Sequence, residues 1–325
     1  MSHDVDTMFS TQREWHYGET RHAIADHPLT AEEARQLSGL TWKVRREPVI
    51  FQQHEVPGWW MNVRADNNAV LGIVKDPYAI IQNEWLFRAL EPVIGDEGAY
   101  FEVAGAIKGG KRVWAVAKLP AYFYVADDDR VDMYVTMCNS FDGSLEWVMG
   151  LTAIRMVCKN TMQAVLDGWG RDDNSFQPVR IKHLPSFEQR ILAAHRSLGL
   201  ATRNTELLAE LFGNLARKPM TPALLTEFVK YLFPSPKEDE GGEAGRIVQA
   251  HRSDVMTHFE AMINNPSGAQ GSGWTALNAA TEYIDHGKST KGTSRRDWAW
   301  FGPGVNLRAR AIRWLGKKLL GVEIK

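Results

Sequence analysis

The sequence predicts an α+β protein with an N-terminal mixed domain built on an antiparallel sheet and a helical C-terminal half. Two observations predict this class. Aromatic and β-branched residues alternate through much of the chain before Pro185, and the apolar residues after it recur at helical spacing. At about 150 residues per domain, a chain of 325 residues holds about two domains. We therefore expect an N-terminal arm at 1–28, a sheet domain at 29–185, and a helical domain at 186–325 that ends in a basic segment.

The first part of the sheet domain is expected to contain a helix, a group of strands and a second helix. Thr30 and Glu33 have the spacing of a capping box, which predicts a short helix directly after Thr30. Alternating aromatic and β-branched residues over 42–74 predict strands. The spacing of apolar residues over 78–94 predicts the second helix.

The strongest strand pattern lies in the later part of the sheet domain. Two strands flank the Gly-rich turn at 108–111, and a second pair flanks Asp142-Gly143, whose residue types suit a two-residue hairpin turn. Residues 105–111 also match the start of a phosphate-binding loop, but Arg112 stands where a Ser or Thr would bind magnesium. We therefore interpret 105–111 as part of a hairpin, and we expect a helix capped by Asn160 after the fourth strand.

Helix start signals recur throughout the C-terminal half. Ser186 with Gln189 has the spacing of a second capping box, and Thr221 followed by Pro222 places a cap before a proline at the first helical position. Residues 234–245 are rich in Pro, Gly and Glu, which is typical of an exposed linker. Further helices are expected at 206–215, 246–263, 274–285 and 306–320.

The composition excludes several classes of protein. Hydrophobic residues make up 44% and charged residues 24% of the chain, as in ordinary globular proteins. Two cysteines cannot form a disulfide framework, so we expect Cys138 and Cys158 to be reduced and buried. No apolar run approaches the roughly 18 residues that cross a bilayer, and the N-terminal residues are too polar for a signal peptide. These features predict a cytoplasmic protein that has no membrane partner.

The net charge of −1 conceals a strongly basic C-terminal segment. Residues 1–185 carry 19 basic and 25 acidic side chains, residues 186–287 carry 9 and 12, and residues 288–325 carry 10 and 2. The last segment therefore has a formal charge of +8, which predicts an anionic partner, most often phosphate. The alternative interpretation is that acidic neighbours within the same fold neutralise the segment.

Basic and aromatic residues are interleaved in this segment. Cations bind phosphates and release counterions, and exposed aromatic rings stack on unpaired bases. The pattern predicts a site for single-stranded nucleic acid, with Arg308 and Arg313 on one helix face. In the alternative interpretation, Trp298 and Trp300 anchor the last helix in the core and only the cations are outside. The candidate binding residues are Lys288, Lys291, Arg295, Arg296, Trp298, Trp300, Arg308, Arg310, Arg313 and Lys317.

Few arrangements are typical of an enzyme. His251, Asp254 and His258 lie at positions i, i+3 and i+7 of a predicted helix, so they share one face and would supply three ligands of a catalytic zinc site. We favour the interpretation that this is an ordinary solvated helix face, so the three residues are only weak candidates for metal ligands. We assign no catalytic residue and no cofactor, and the sequence favours a role other than catalysis.

Several segments resemble a known family. Residues 154–161, Ile-Arg-Met-Val-Cys-Lys-Asn-Thr, are similar to the family's Val-Arg-x-Val-Cys-x-Asn-Thr signature. Residues 139–144, 277–286 and 300–302 resemble further parts of its pattern, and shorter matches are Trp15-His16, Tyr78, Gln82-Asn83 and Val113-Trp114. On these motifs the chain is identified as a member of a family of phage/plasmid-like proteins catalogued as domain of unknown function number 932. The resemblance implies a phage or mobile-element origin and assigns no settled activity.

Phage-like proteins of this size commonly serve replication, recombination or host defence. The order helix, strands, helix at 78–166 is similar in outline to the core of phage single-strand annealing proteins, which is an analogy at the level of the fold. Our leading hypothesis is a phage or mobile-element accessory protein of recombination or replication that binds single-stranded DNA as a homo-oligomer in the host cytoplasm. One alternative is an interaction protein that binds a host factor to inhibit bacterial defence. The other is a metal-dependent nuclease.

Overall fold

The computed structural model describes residues 5–10, 22–25, 27, 29–91, 94, 98–127, 129–155, 178–198, 201–236, 241–287, 298–299 and 302–323. These residues form two compact units, and each unit draws on separate stretches of the chain. The first falls within 1–120, 134–151 and 178–200, and the second within 121–133, 152–177 and 201–325. Strands dominate the first unit and helices dominate the second, which confirms the α+β class.

The secondary structure follows the predicted order of a strand-rich half and a helical half. The strands are β1 (Val5–Ser10), β2 (His22–Ile24), β3 (Val44–Phe51), β4 (His54–Arg64), β5 (Val70–Lys75), β6 (Tyr100–Ile107), β7 (Arg112–Val125), β8 (Asp129–Ser140), β9 (Trp147–Arg155) and β10 (Val179–Ile181). The helices are α1 (Ala31–Leu37), α2 (Glu84–Arg88), α3 (Phe187–Leu198), α4 (Ala201–Ala216), α5 (Pro222–Leu232), α6 (Glu243–Glu260), α7 (Gly273–Glu282) and α8 (Pro303–Leu315).

The larger sheet has the strand order β10-β9-β8-β7-β6-β1-β2. Strand β1 pairs antiparallel with β6, with Phe9 opposite Ala104, and parallel with β2. The Phe9 side chain is fully buried in the core of the first unit. The prediction of an arm at 1–28 is therefore wrong for 5–10 and 22–24. A strand whose partner lies far along the chain need not show a periodic pattern of its own.

The stretch 78–94 is not the continuous helix that the apolar spacing predicts, because among its described residues only Glu84–Arg88 is helical. The Gln82 amide binds both backbone groups of Val44 in β3, accepting from the nitrogen at 2.9 Å and donating to the oxygen at 2.7 Å. The Asn83 amide donates to the Trp42 carbonyl at 3.1 Å. These bonds to distant backbone hold the chain in an irregular path, so tertiary contacts override the local helical tendency.

Both predicted strand pairs are present in the larger sheet. Strands β6 and β7 pair across the turn at 108–111, with Ile107 opposite Arg112, and β9 lies beside β8. The connection from β8 to β9 spans 141–146, so the prediction of a two-residue turn is wrong. Gly143 does have a left-handed φ of 75°, and the Asp142 carboxylate accepts from the Ser144 backbone nitrogen at 2.9 Å, which stabilises a longer loop.

A second sheet, β3-β4-β5, packs against the 141–146 loop within the first unit. The Asn62 amide in β4 donates to the Phe141 carbonyl at 2.7 Å, and both groups are buried. A Cβ atom on Gly72 in β5 would lie 2.4 Å from the Cα of Asp142. Gly72 therefore permits an approach of the two backbones that no larger residue allows without a shift.

The helices of the second unit surround an aromatic core. The Phe212 ring lies 6.0 Å from Phe123 and 4.9 Å from Trp274, and Phe212 and Trp274 are fully buried. Thr221 caps α5 and Pro222 is its first residue, as predicted. Among the described residues, no helix combines the length and apolar character that spanning a membrane requires.

Candidate nucleic-acid interface

The last helix, α8, carries a line of cations. Arg310, Arg313 and Lys317 follow one another at spacings of three and four residues, so their side chains project from one side. Lys317 lies in a short π-helical segment, Gly316–Leu320, that continues α8. The stretch 303–320 contains no acidic residue, so nothing on the helix itself neutralises this line. We call Arg310, Arg313 and Lys317 the cationic stripe.

Arg308 does not belong to the cationic stripe. Its side chain is 1% exposed, and its guanidinium donates to the Asp285 carboxylate and to the Ala299 carbonyl. Arg308 and Arg313 are five residues apart, which corresponds to a rotation of about 140° around the helix axis. The prediction that these two arginines share a face and contact nucleic acid is therefore wrong for Arg308. It forms an internal ion pair that holds α8 in place.

The inner side of α8 packs into the core of the second unit. Ile312 and Leu315 are buried, and the Trp314 ring lies 5.2 Å from the Phe228 ring of α5. This packing, together with the Arg308 ion pair, fixes the rotation of the helix about its axis. The cationic stripe consequently faces outward in a defined direction.

Arg310 also contacts α5 through Tyr231. The guanidinium carbon lies 5.2 Å from the centroid of the Tyr231 ring, and the guanidinium donates to the Tyr231 carbonyl. Tyr231 is 43% exposed, so a large aromatic surface lies in solvent beside the stripe. Tyr231 cannot be identified as part of this surface from the sequence, because its proximity to Arg310 depends on how α5 packs on α8 and leaves no trace in the spacing of residues.

Two lysines near the end of α8 form ion pairs in solvent. The Lys317 ammonium lies 3.8 Å from Glu323, and their side chains are 76% and 77% exposed. The Lys318 ammonium lies 2.8 Å from Glu227, and their side chains are about half exposed. Exposed pairs of this kind contribute about 0–1 kcal/mol and weaken with salt. A phosphate polymer therefore competes with these carboxylates at little cost.

Most of the remaining predicted contact residues belong to parts of the chain that the structure does not describe. Lys288, Lys291, Arg295, Arg296 and Trp300 lie outside the described residues. Trp298 is described and is half-buried, and it has interactions of its own. The candidate interface thus consists of the cationic stripe and Tyr231.

The structure does not group the three weak candidates for metal ligands into a metal site. No group of three or more His, Cys, Asp or Glu side chains in the described part of the chain is arranged to hold a metal ion, and that part includes His251, Asp254 and His258. A ring nitrogen of His251 instead lies 2.9 Å from the Tyr283 hydroxyl. Burial, with a smaller effect of Asp254, raises the pKa of Tyr283, so its hydroxyl stays protonated in this pair.

Cys138, on β8, is 2% exposed, which confirms that this thiol is buried. Burial raises the pKa of the Cys138 thiol, and the reactive thiolate is therefore scarce. Cys158 and the helix predicted after it lie outside the described residues.

A buried ion pair connects β8, β9 and α7 inside the second unit. The Arg155 Nε donates to both Asp129 oxygens, at 2.7 and 2.8 Å, and the Trp274 indole nitrogen donates to Asp129 at 2.6 Å. A second guanidinium nitrogen of Arg155 donates to the Ile263 carbonyl at 2.7 Å. Both charged side chains are almost completely buried, at 1% and 0% exposure. The arginine of the 154–161 signature is thus an internal support.

The other signature residues in the first unit also support the backbone. The Tyr78 ring stacks on His183 at 4.4 Å, and its hydroxyl donates to the Ser140 carbonyl at 2.8 Å. The Asn139 amide donates to the Ile81 carbonyl at 2.8 Å. Burial raises the pKa of Tyr78 and lowers the pKa of His183, so both rings are neutral near pH 7. The bonds of Tyr78 and Asn139 to carbonyls thus position loops of the first unit.

Comparison with known proteins identifies a family. The sequence model of the family described as "Domain of unknown function (DUF932)" matches residues 70–300, which is well over half of the 325-residue chain. No curated protein and no solved structure shows significant similarity to the chain. The matched region includes Tyr78, Asn139 and Arg155, whose buried contacts are described above. The chain therefore belongs to the DUF932 family.

Proposed function

We propose that this protein binds nucleic acid through the cationic stripe, as an accessory factor of recombination or replication encoded by a phage or mobile element. The observation that carries the proposal is a helix whose outward side bears Arg310, Arg313 and Lys317 and whose length contains no acidic residue. The Arg308 ion pair and the buried inner side hold this helix rigidly, so little ordering is needed on binding.

The spacing of the stripe suits a phosphate backbone. Lys317 lies seven positions after Arg310, which corresponds to about 10 Å along a helix with a rise of about 1.5 Å per residue. That distance covers about two to three phosphates of an extended strand. Contacts to phosphates carry no sequence information, so the stripe supports binding that is independent of sequence.

The test is the salt dependence of binding, measured by fluorescence anisotropy with a labelled oligonucleotide. Replacing Arg313 and Lys317 together with Ala removes two cations and should reduce the slope of log Kd against log salt by about 1.4, at about 0.7 per phosphate of a single strand. The matched control replaces Lys182 and Arg190 of the first unit, which are exposed and carry the same total charge. An equal slope in the two double variants would refute the proposal.

A second candidate function is self-association through the three-stranded sheet. The partner that we propose for this surface is a second copy of the chain. The observation that favours it is a concentration of exposed apolar side chains: Ile50, Phe51, Trp59, Val70 and Ile73 are 42–67% exposed and all belong to β3, β4 or β5. Replacing Ile50 and Phe51 with Ser should dissociate an oligomer in sedimentation velocity. An unchanged sedimentation coefficient would exclude self-association through this surface.

A further inference from the structure

The cationic stripe by itself does not distinguish single strands from duplexes, because both present phosphates. We propose that Tyr231 is a specificity-determining residue that stacks on an unpaired base and gives the interface a preference for single-stranded nucleic acid. This inference rests on the proposed function. In this interface Tyr231 contacts a base, whereas the cationic stripe contacts only phosphates.

The packing of α5 leaves a large part of Tyr231 outside the core. Phe228, Val229 and Leu232 of the same helix are 0%, 2% and 2% exposed, so they form its inner side. Tyr231 lies at the edge of this inner side and is 43% exposed. The exposed part of this large aromatic ring is available to contact a ligand.

Arg310 links this ring to the stripe. Its guanidinium lies near the ring of Tyr231 and donates to the carbonyl of the same residue, so the two side chains form one unit. Two contacts to Tyr231 restrict the rotamers of Arg310, and a guanidinium beside an aromatic ring strengthens stacking through its cation–π attraction. A strand whose phosphates contact Arg313 and Lys317 therefore passes a ring placed to receive a base.

Strand preference follows from which bases can reach the ring. In a duplex the bases are stacked and paired inside the helix, and a side chain beside the backbone meets only sugar and phosphate. In a single strand the bases turn freely, and any of the four presents a face on which Tyr231 can stack. Loss of the ring should therefore weaken binding to single strands and leave binding to duplexes unchanged.

The chain offers a matched control in Tyr122. It is 50% exposed in the same unit, and the guanidinium carbon of Arg130 lies 4.2 Å from its ring centroid. Arg130, however, is paired with the buried Asp132 carboxylate at 2.6 Å and does not belong to the cationic stripe. Replacing Tyr122 removes an equally exposed ring from a location where we expect no nucleic acid.

The experiment compares Tyr231→Ala, Tyr231→Phe and Tyr122→Ala on a labelled single strand and on the duplex of the same length, by anisotropy at fixed salt. Circular dichroism first establishes that each variant is folded. Tyr231→Ala should weaken single-strand binding by about 5- to 150-fold with an unchanged salt slope, the fold-change that corresponds to one stacked base. Tyr231→Phe keeps the ring and should bind like the parent, as should Tyr122→Ala.

Two results would overturn the inference. One is an unchanged ratio of single-strand to duplex affinity in Tyr231→Ala. The other is an equal loss for both ligands, which would show that Tyr231 only positions Arg310. In either case, a reduced salt slope in the Arg313 and Lys317 variant would leave the proposed function in place, whereas an unchanged slope there would remove it irrespective of Tyr231.

Discussion

Replacing Asp129 with Asn tests whether the buried ion pair of the second unit stabilises the fold. The substitution keeps the size of the side chain and removes its charge. Asp129 accepts from Arg155 and from Trp274 while it is completely buried, and Arg155 is 1% exposed. The amide introduced by Asp129→Asn has one acceptor oxygen in place of two, so the arginine remains inside the protein without a compensating charge.

The structure sets the size of the expected effect. Removing one member of a buried and hydrogen-bonded ion pair typically costs about 3–5 kcal/mol, because the remaining charge is not solvated. With a urea m value of about 2 kcal/mol per molar, that loss shifts the unfolding midpoint by about 1.5–2.5 M. The contact of Arg155 with the Ile263 carbonyl persists and places the expected shift in the lower part of this range.

The assay is urea unfolding followed by circular dichroism and by tryptophan fluorescence, since two units can unfold in separate transitions. The matched control is Asp127→Asn, which removes the same charge from an exposed side chain in the turn that leads to Asp129. We expect the control to change the free energy of unfolding by less than about 0.5 kcal/mol, so its urea midpoint should shift only slightly.

A shift for Asp129→Asn no larger than that of the control would refute the reasoning, because it would show that Arg155 is solvated or compensated without Asp129. The double variant with Arg155→Met separates the pair from its parts. If the pair is the cause, removing both charges should cost less than the sum of the two single changes.

The remaining predictions concern the first unit. Burial lowers the pKa of His183 below 6.5, so the unfolded chain binds a proton that the folded protein does not, and stability should fall as the pH drops through about 6.5. His183→Gln should flatten this dependence of the urea midpoint on pH, and a native ring that titrates by NMR at or above 6.5 would contradict it. Gly72→Ala places a Cβ 2.4 Å from the Cα of Asp142 and should destabilise the fold by about 1–3 kcal/mol in thermal melts, whereas Gly241→Ala points into open space and should have little effect. Equal melting temperatures would show that the close approach relaxes freely. Cys138 should react with a thiol reagent only after unfolding, because it is 2% exposed and its pKa is raised, and rapid labelling of its peptide in the native protein would rule this out.

The elements that the sequence predicts correctly are those determined by local contacts. The capping box of Thr30 and Glu33 is present with both of its hydrogen bonds, and Thr221 and Pro222 begin α5 as predicted. The hairpin at 108–111 has its two strands in the expected order. In each case the determining contacts join residues within a few positions of one another, so their spacing is visible in the sequence.

The errors arise where a distant partner decides the structure. Residues 5–10 form a strand because β6 lies beside them, and Gln82 leaves the helical path because its amide finds the backbone of Val44. The composition indicates that the segment around α8 is cationic. It does not indicate that Arg308 pairs with the Asp285 carboxylate and is therefore buried. The spacing could have identified Arg310, Arg313 and Lys317 as one face, whereas Tyr231 could be found only from the packing of α5.

Because each unit combines separate stretches of the chain, the order of synthesis on the ribosome limits when each unit can fold. The last stretch of the first unit, 178–200, contains β10 and α3, and its Phe187 and Ile191 lie in the core of that unit. The first unit therefore cannot close until about 200 of the 325 residues have been synthesised. Until then the emerging strands have no completed core to join, which makes them substrates for chaperones and proteases. Nascent chains arrested before α3 emerges should accordingly be digested much faster than chains arrested after it.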